Sequence, residues 1–354
     1  MFTQNYDVMK EIIQSETEFT IDSIPEPDNI ENIVFSLIVN PNLSVINYFN
    51  DFNEFPVSPA SIGTTDSDET GLFDIGADGR SIVMSTHAFH HHLESDPKKA
   101  TEILISRAAR KMHCLGAVPV AVSAMLYHID FGDPNGQNIA SGAKQGLENA
   151  AKKFNLKISD RKIRFDHFSC HGPVPPTIIV SIISMVENRE KITDHAFKKK
   201  GGNIFVIGRS VNDLGSSEYL EFYHGIEDSP LPAFNIDTEI RIQQALRKLH
   251  QNGLLQSASP VGKGGLFFTL LRAGIPNELG FDITTDAEMR IDSFLFGEAM
   301  GRVLVEVNPE RQDEFVDLMT NIRMPFFTLG HVTKGEIRID DVSLGYIDKM
   351  TSSK

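Results

Sequence analysis

Twelve histidines are spread over 354 residues, yet His87, His90, His91 and His92 all fall within the one stretch THAFHHHLESDPKK. Imidazole is a natural ligand for zinc and other transition metals. A second group, His167, Cys170 and His171 in FDHFSCHG, offers further ligands if the fold brings it near. The spacing argues against convergence. On a strand, neighbouring side chains point to opposite faces, and on a helix only His87 and His91 share one. No CxxC or HExxH pattern supports a metal centre. A loop exposing polar histidines is the reading that the spacing favours, and a metal held by His87 and His91 is the alternative. Nucleophilic chemistry has weaker support. Cys170 and His171 are adjacent and would face opposite ways on a strand. Cys114 sits among apolar helix positions and reads as a small buried hydrophobe.

The composition bounds the classes of function. Lys and Arg number 33 against 48 Asp and Glu, a formal net charge of −15. That opposes generic nucleic-acid binding, which needs a net basic face. No run approaches the length and apolarity of a membrane-spanning helix, and the amino terminus lacks the basic-then-apolar order of a secretory signal. Two cysteines make no disulfide framework. These features lead us to expect a soluble, cytoplasmic protein with 41% apolar residues to fill its cores.

The elements that must position any site can be read from periodicity. SIVMST (81–86), VPVAVSAML (118–126) and TIIVSIISMV (177–186) read as strands. ATEILISRAARKMHCLG reads as a helix stopped by Gly116, and 137–155 as another. Residues 53–80, rich in Pro, Gly, Ser, Thr and Asp, read as loop. FKKKGGN (197–203) breaks the pattern. NIFVIG then reads as a buried strand, and DTEIRIQQALRKLHQNG as a helix with Asp237 placed to cap it. RVLVEV (302–307) precedes a helix carrying Phe315, Leu318, Met319 and Ile322, and EIRI (336–339) reads as the last strand. The expected organisation is an amino-terminal arm or helical segment over 1–52 and two α/β domains, 53–196 and 197–354.

Five phrases carry a resemblance: VNPNLSVINYF (39–49), LGAVPVAV (115–122), FKKKGGNIFVIGRSVNDLGSSEYL (197–220), GKGGLFFTLL (262–271) and FLFGEAMGRVLVEVNPE (294–310). In this order and spacing they resemble the carboxy-terminal half of formylglycinamidine ribonucleotide synthetase and, more broadly, the aminoimidazole ribonucleotide synthetase (PurM-like) superfamily. The resemblance implies an α/β (α+β) fold of two domains, the first a barrel-forming domain whose strands pair with a partner's. It also implies a homodimer, or pairing with a related synthetase half.

The departures from the family pattern bear on chemistry. The family's acidic residue after a threonine falls on His87, beyond Thr86; its helix Glu falls on Arg107 and its helix Asn on Lys111. The acidic residue before a glycine pair is Lys263, ahead of Gly264 and Gly265, and another family Asp is Ala124, whereas Asp96–Pro97 is kept. By resemblance these acidic and amide positions hold Mg²⁺ between protein and nucleotide phosphates. Magnesium needs hard oxygen ligands, and Arg and Lys supply none.

Two readings of the basic residues stand open. In one, a degenerate site formed by His87, Asp96, Arg107, Lys111, Lys263, Gly264 and Gly265 binds ATP, ADP or phosphate without magnesium. In the other, the cations pair with local acids in a filled pocket. Glu218 and Glu298 keep the family's residue type, as ligand contacts or as structural groups at the domain junction. The expected function is therefore a non-catalytic, stand-alone homologue of the synthetase half. The alternatives are an active ATP-dependent ligase of purine biosynthesis and a histidine-dependent metal protein.

Overall fold

A computed structural model describes residues 20–43, 70–75, 79–90, 92–130, 132–165, 168–169 and 172–351. After a short 3-10 turn (Ile21–Ser23) comes helix α1 (Glu31–Ile38), whose Ile33, Val34 and Leu37 are buried. The first sheet contains β1 (Thr70–Asp74), β2 (Ser81–Phe89), β3 (Val118–Tyr127), β4 (Lys157–Ile163) and β7 (Thr177–Val186), in the order β1-β2-β7-β3-β4. A small hairpin, β5 (Phe168–Ser169) with β6 (Gly172–Pro173), precedes β7. Pairing is antiparallel except between β3 and β4. That parallel pair needs a crossover, which α3 (Pro134–Phe154) supplies.

Helices α2 (Pro97–Cys114) and α3 cover one face of this sheet, burying Val83, Val122, Leu126, Ile178, Val180 and Ile182. The strands alternate, so their other residues form the opposite face. There Met84, Val118 and Val120 are 39%, 41% and 37% exposed, and Ile179, Ile183 and Met185 half-buried. Across the middle of this apolar face Thr86, Ser181 and Ser123 stand in register, with Thr86 Oγ1 2.8 Å from Ser181 Oγ.

The second sheet contains β8 (Asn203–Ile207), β9 (Leu255–Pro260), β10 (Gly280–Ile283), β11 (Val303–Val307), β12 (Phe326–Thr333), β13 (Glu336–Ile339) and β14 (Val342–Tyr346). Their order is β14-β13-β10-β12-β8-β11-β9. Both faces are covered, which is why NIFVI and VLVEV are nearly continuous apolar runs. On one side α4 (Ile236–Gln251) and α7 (Gln312–Asn321) pack on Phe205, Ile207, Val303 and Val305. On the other, α5 (Gly265–Gly274), α6 (Ile291–Phe296) and α1 pack on Ile204, Val206 and Leu304. A short helix, α8 (Ile347–Thr351), follows β14. The arm is tied down as well: Arg290 donates to the carbonyls of Ile21 and Ile24 at 3.1 and 2.8 Å.

Several expectations are corrected. β1 lies within the stretch read as loop, and β2 runs on to Phe89, so His87 is a strand residue. Asn235, not Asp237, caps α4, its side chain accepting from the N–H groups of Asp237 and Thr238. EIRI is not the last strand, because β14 pairs with it.

Gly208, after β8, shows why one glycine is required. Its φ is +99°, and a Cβ there would lie 1.9 Å from the carbonyl oxygen of Gly301. Gly208→Ala therefore combines left-handed strain with a backbone clash. We expect a loss of about 3 kcal/mol or more in urea unfolding; a loss within experimental error would show that the two loops can part.

Candidate functional site

Helix α2 lies between the first sheet and the carboxy-terminal domain, where it meets α4 and β9. It is buried almost all round, and this draws polar side chains into the junction. Arg110 is 1% exposed, and its Nη1 lies 2.5 Å from Oε1 of Glu239 on α4, itself 1% exposed. Its Nη2 reaches the Val261 carbonyl at 3.5 Å and the Met300 sulfur at 3.8 Å. Arg107, one turn earlier and half-buried, donates from Nε to the same sulfur at 3.3 Å. Burial lowers the Arg107 pKa, the charge of Glu298 opposes that, and Arg110 adds to it. Arg302 is 1% exposed and donates to the carbonyls of Phe294 and Gly297. Burial and then the neighbouring Arg110 bring its pKa down to about 10.

Beside these cations lies the turn into α5. Gly264 and Gly265 have φ of +76° and +71°. A Cβ on Gly264 would meet Leu43 and Phe268 at 2.8 Å, and one on Gly265 would meet the Leu295 carbonyl at 2.6 Å. The glycine pair is thus required by close packing, whatever binds there. The Gly264 N–H donates to Oε1 of Glu298 at 2.9 Å, and the Glu218 N–H donates to the same oxygen at 2.9 Å. Burial pushes the Glu298 carboxyl up, while Arg107 and the two N–H groups pull it back. Lys263 is 59% exposed along its side chain and pairs with Oε1 of Glu218 at 3.2 Å. Oε2 of Glu218 accepts from the side-chain amides of Asn40 and Asn42, at 3.0 and 3.2 Å. Burial would raise the Glu218 carboxyl, but Asn40, Lys263 and Asn42 together hold it below the usual range.

The structure thus brings Arg107, Lys263, Gly264, Gly265, Glu218 and Glu298 together. Lys111 is half-buried on the next turn of α2. Asp96 is spent on capping: its Oδ1 accepts from the Lys99 N–H at 2.9 Å, and Pro97 opens the helix. His87 is half-buried, with Nε2 3.1 Å from Ser85 Oγ. His90 is exposed, and His92, at φ +59°, places Nε2 2.6 Å from Ser216 Oγ. His91, His167, Cys170 and His171 lie outside the described residues. Among the described residues no group of three or more His, Cys, Asp or Glu could hold a metal ion. Cys114 is buried and packed with Ile242, Leu246 and Leu249. Arg110, Glu239, Arg302, Asn40 and Asn42 were not singled out as site residues from the sequence. A buried Arg–Glu pair 129 positions apart leaves no periodic trace.

Residues 199–341 match the family AIR synthase related protein, C-terminal domain. The fold, a mixed α/β architecture with two main sheets, is of the PurM-like type. Over most of its length the chain is similar to the PurL subunit of phosphoribosylformylglycinamidine synthase, the likeness that the sequence phrases implied. It is 26% identical to PurL of Alkaliphilus metalliredigens over 319 residues, covering 90% of this chain and 43% of that one. With PurL of Chlorobaculum tepidum the identity is 28% over 291 residues, 78% of this chain and 37% of the other. The crystal structure of phosphoribosylformylglycinamidine synthase II from Thermotoga maritima superposes with a TM-score of 0.71 at 13% identity, over 92% of this chain and 52% of that one. T. maritima PurL complexed with ATP gives a TM-score of 0.64 at 13% identity, over 79% and 46%. The solved structures establish shared fold, and the chain spans roughly two-fifths of the curated relatives' length, 43% and 40% for two of them. No helix among the described residues is long and apolar enough to cross a membrane.

Proposed function

We propose that this chain is a stand-alone counterpart of the carboxy-terminal half of phosphoribosylformylglycinamidine synthase, working in cytoplasmic purine biosynthesis as a non-catalytic subunit. The observation that carries this reading is the pairing of the replacement cations. Lys263 faces Glu218 at 3.2 Å, and Arg107 lies in the field of Glu298. A magnesium-bridged nucleotide needs carboxylate oxygens left open to the ion. Here Glu218 is engaged by Lys263, Asn40 and Asn42, and Glu298 by two backbone N–H groups. Calorimetric titration with ATP, with and without Mg²⁺, tests the reading. We expect no magnesium-strengthened binding and no ADP release; magnesium-dependent binding followed by ADP release would make the chain an ATP-dependent ligase instead.

The same reading has the chain paired, with a second copy or with a related synthetase half. The open face of the first sheet supports this, since Met84, Val118 and Val120 there are more than a third exposed. The Thr86–Ser181–Ser123 hydroxyl row would help fix the register. Met84→Glu with Val120→Glu puts two charges into that face. Pairing is expected to weaken roughly a hundredfold or more, with the far-UV circular dichroism unchanged. Sedimentation that shows the same assembly for both proteins would remove this face from the interface.

A further inference from the structure

We infer that a proton-operated latch closes one end of the seam between α2 and α4. Neutral His113 and His250 hold three stretches together there: the end of α2, the segment joining β7 to β8, and the last turn of α4. Acid parts them while the rest of the fold stays intact. The latch goes beyond the functional reading above and does not depend on it. His250, on the last turn of α4, is the tie. Its Nε2 lies 2.9 Å from the His113 carbonyl, which can only accept, so the ring hydrogen sits on Nε2. Nδ1 is then an acceptor, and the Thr193 hydroxyl donates to it at 3.3 Å. Thr193 also donates its N–H to the Leu115 carbonyl at 3.3 Å. One neutral imidazole thus joins all three stretches. The packing is close: a Cβ on Gly116 would lie 3.2 Å from Nδ1.

His113 is the second part of the latch. It ends α2 at 5% exposure, and its ring is hydrogen-bonded to Gln243, itself 8% exposed on α4. The charged groups that act on it are Arg247 and His250, both on α4, and Arg110 lies one turn back on its own helix. His250 is acted on by the backbone at His113 and Cys114. Thr193 brings a hydroxyl and no charge. No carboxylate is among these groups. A proton on His113 therefore adds positive charge beside Arg247, and one on His250 turns Nδ1 into a donor facing the Thr193 hydroxyl. Burial above all holds the His113 pKa down to about 3, and it lowers that of His250 as well. Once the seam parts, both rings reach water and bind protons at the ordinary value of 6.5. Opening is thus nearly independent of pH above that value and is favoured progressively as pH falls through it. The Arg110–Glu239 pair, one turn earlier at 2.5 Å, keeps the middle of the seam closed.

Cys114 reads the latch directly. It follows His113, is 1% exposed, and packs against Ile242, Leu246 and Leu249 of α4. The chain's other cysteine, Cys170, is removed by Cys170→Ser. The native protein is then treated with dithiodipyridine, which reacts with thiols in mild acid, and each rate is divided by that of glutathione at the same pH. The ratio should rise about tenfold between pH 7.5 and pH 5.5 from His113 alone, with the far-UV circular dichroism unchanged. In low urea the rate should climb far less steeply than global unfolding does, because a local opening exposes little surface. His113→Gln in the same background should lose most of the rise with acid. A ratio that stays constant, a urea slope equal to that of global unfolding, or an undiminished rise in His113→Gln overturns the inference. If His113→Gln does not fold, the pH series and the urea slope of the Cys170→Ser protein decide alone.

Discussion

Arg110→Ala is expected to destabilise the protein by about 3–5 kcal/mol, the cost of stranding one member of a buried ion pair. Arg110 and Glu239 are each 1% exposed and lie 2.5 Å apart, joining helices from the two domains. Without the guanidinium, the Glu239 carboxylate has no strong counter-charge at contact distance and no water to solvate it. Burial already raises its pKa, and Arg110 is the largest influence holding it down. In the variant it should take up a proton, which limits the loss. Two further results should accompany the destabilisation. Relative to the wild type, the stability of Arg110→Ala should improve as pH falls toward the carboxylate range, and Arg110→Leu with Glu239→Leu should recover much of the loss. Urea unfolding reads all three. A single-variant loss below about 1 kcal/mol would mean that the pair contributes no more than one at the surface.

The burial of His113 should cost the wild type stability in acid, beginning well above the pH at which ordinary carboxylates titrate. His113 ends α2 at 5% exposure. Burial first, then the charges of Arg247 and His250, push its pKa from 6.5 to about 3, against a hydrogen bond that the imidazole donates to Gln243. The sign follows from proton uptake: below pH 6.5 the unfolded chain binds a proton that the folded chain refuses. Stability is therefore complete above the unfolded value, declines as pH drops through 6.5, and levels off near 3. At pH 5 the contribution lost is roughly 2 kcal/mol. His250, whose pKa burial also lowers, acts in the same direction. Its Nε2–H donates to the His113 carbonyl at 2.9 Å. His113→Gln should flatten the stability–pH curve by about one proton over this range. A curve of unchanged slope would place the acid sensitivity elsewhere.

How much of this could be read from the sequence depended on whether local pattern or distant contact decides. TIIVSIISMV gives strand β7 to the residue, because β-branched residues fill both faces between clear turn signals. The helix around Ile103–Met112 was equally legible from its period. Strand β4, KISDRKI, was not: it is an exposed edge whose charges protect it from further pairing and hide it from an apolar count. The histidine run looked like a loop because clustered polar residues suggest turns. Pairing with β7 nevertheless carries β2 through His87 to Phe89. At the site, the resemblance singled out Arg107, Lys263 and the glycine pair as candidates. It could not show that Glu298 faces the Gly264 N–H from 34 positions away, nor that Asn40 reaches Glu218 from 178. Those contacts depend on tertiary closure, which periodicity does not encode.

The position of α1 bears on how the molecule is made. Ile33, Val34 and Leu37 are packed into the carboxy-terminal core, and Ile24 is held by Arg290, 266 residues further along. At a synthesis rate of about 5–20 residues per second, the arm leaves the ribosome some tens of seconds before its docking partners exist. During that interval an apolar helix must wait unburied while the intervening domain assembles. Chaperone dependence of newly made chains should therefore track the hydrophobicity of residues 31–38, and a circular permutant that places them after residue 351 should fold with less assistance.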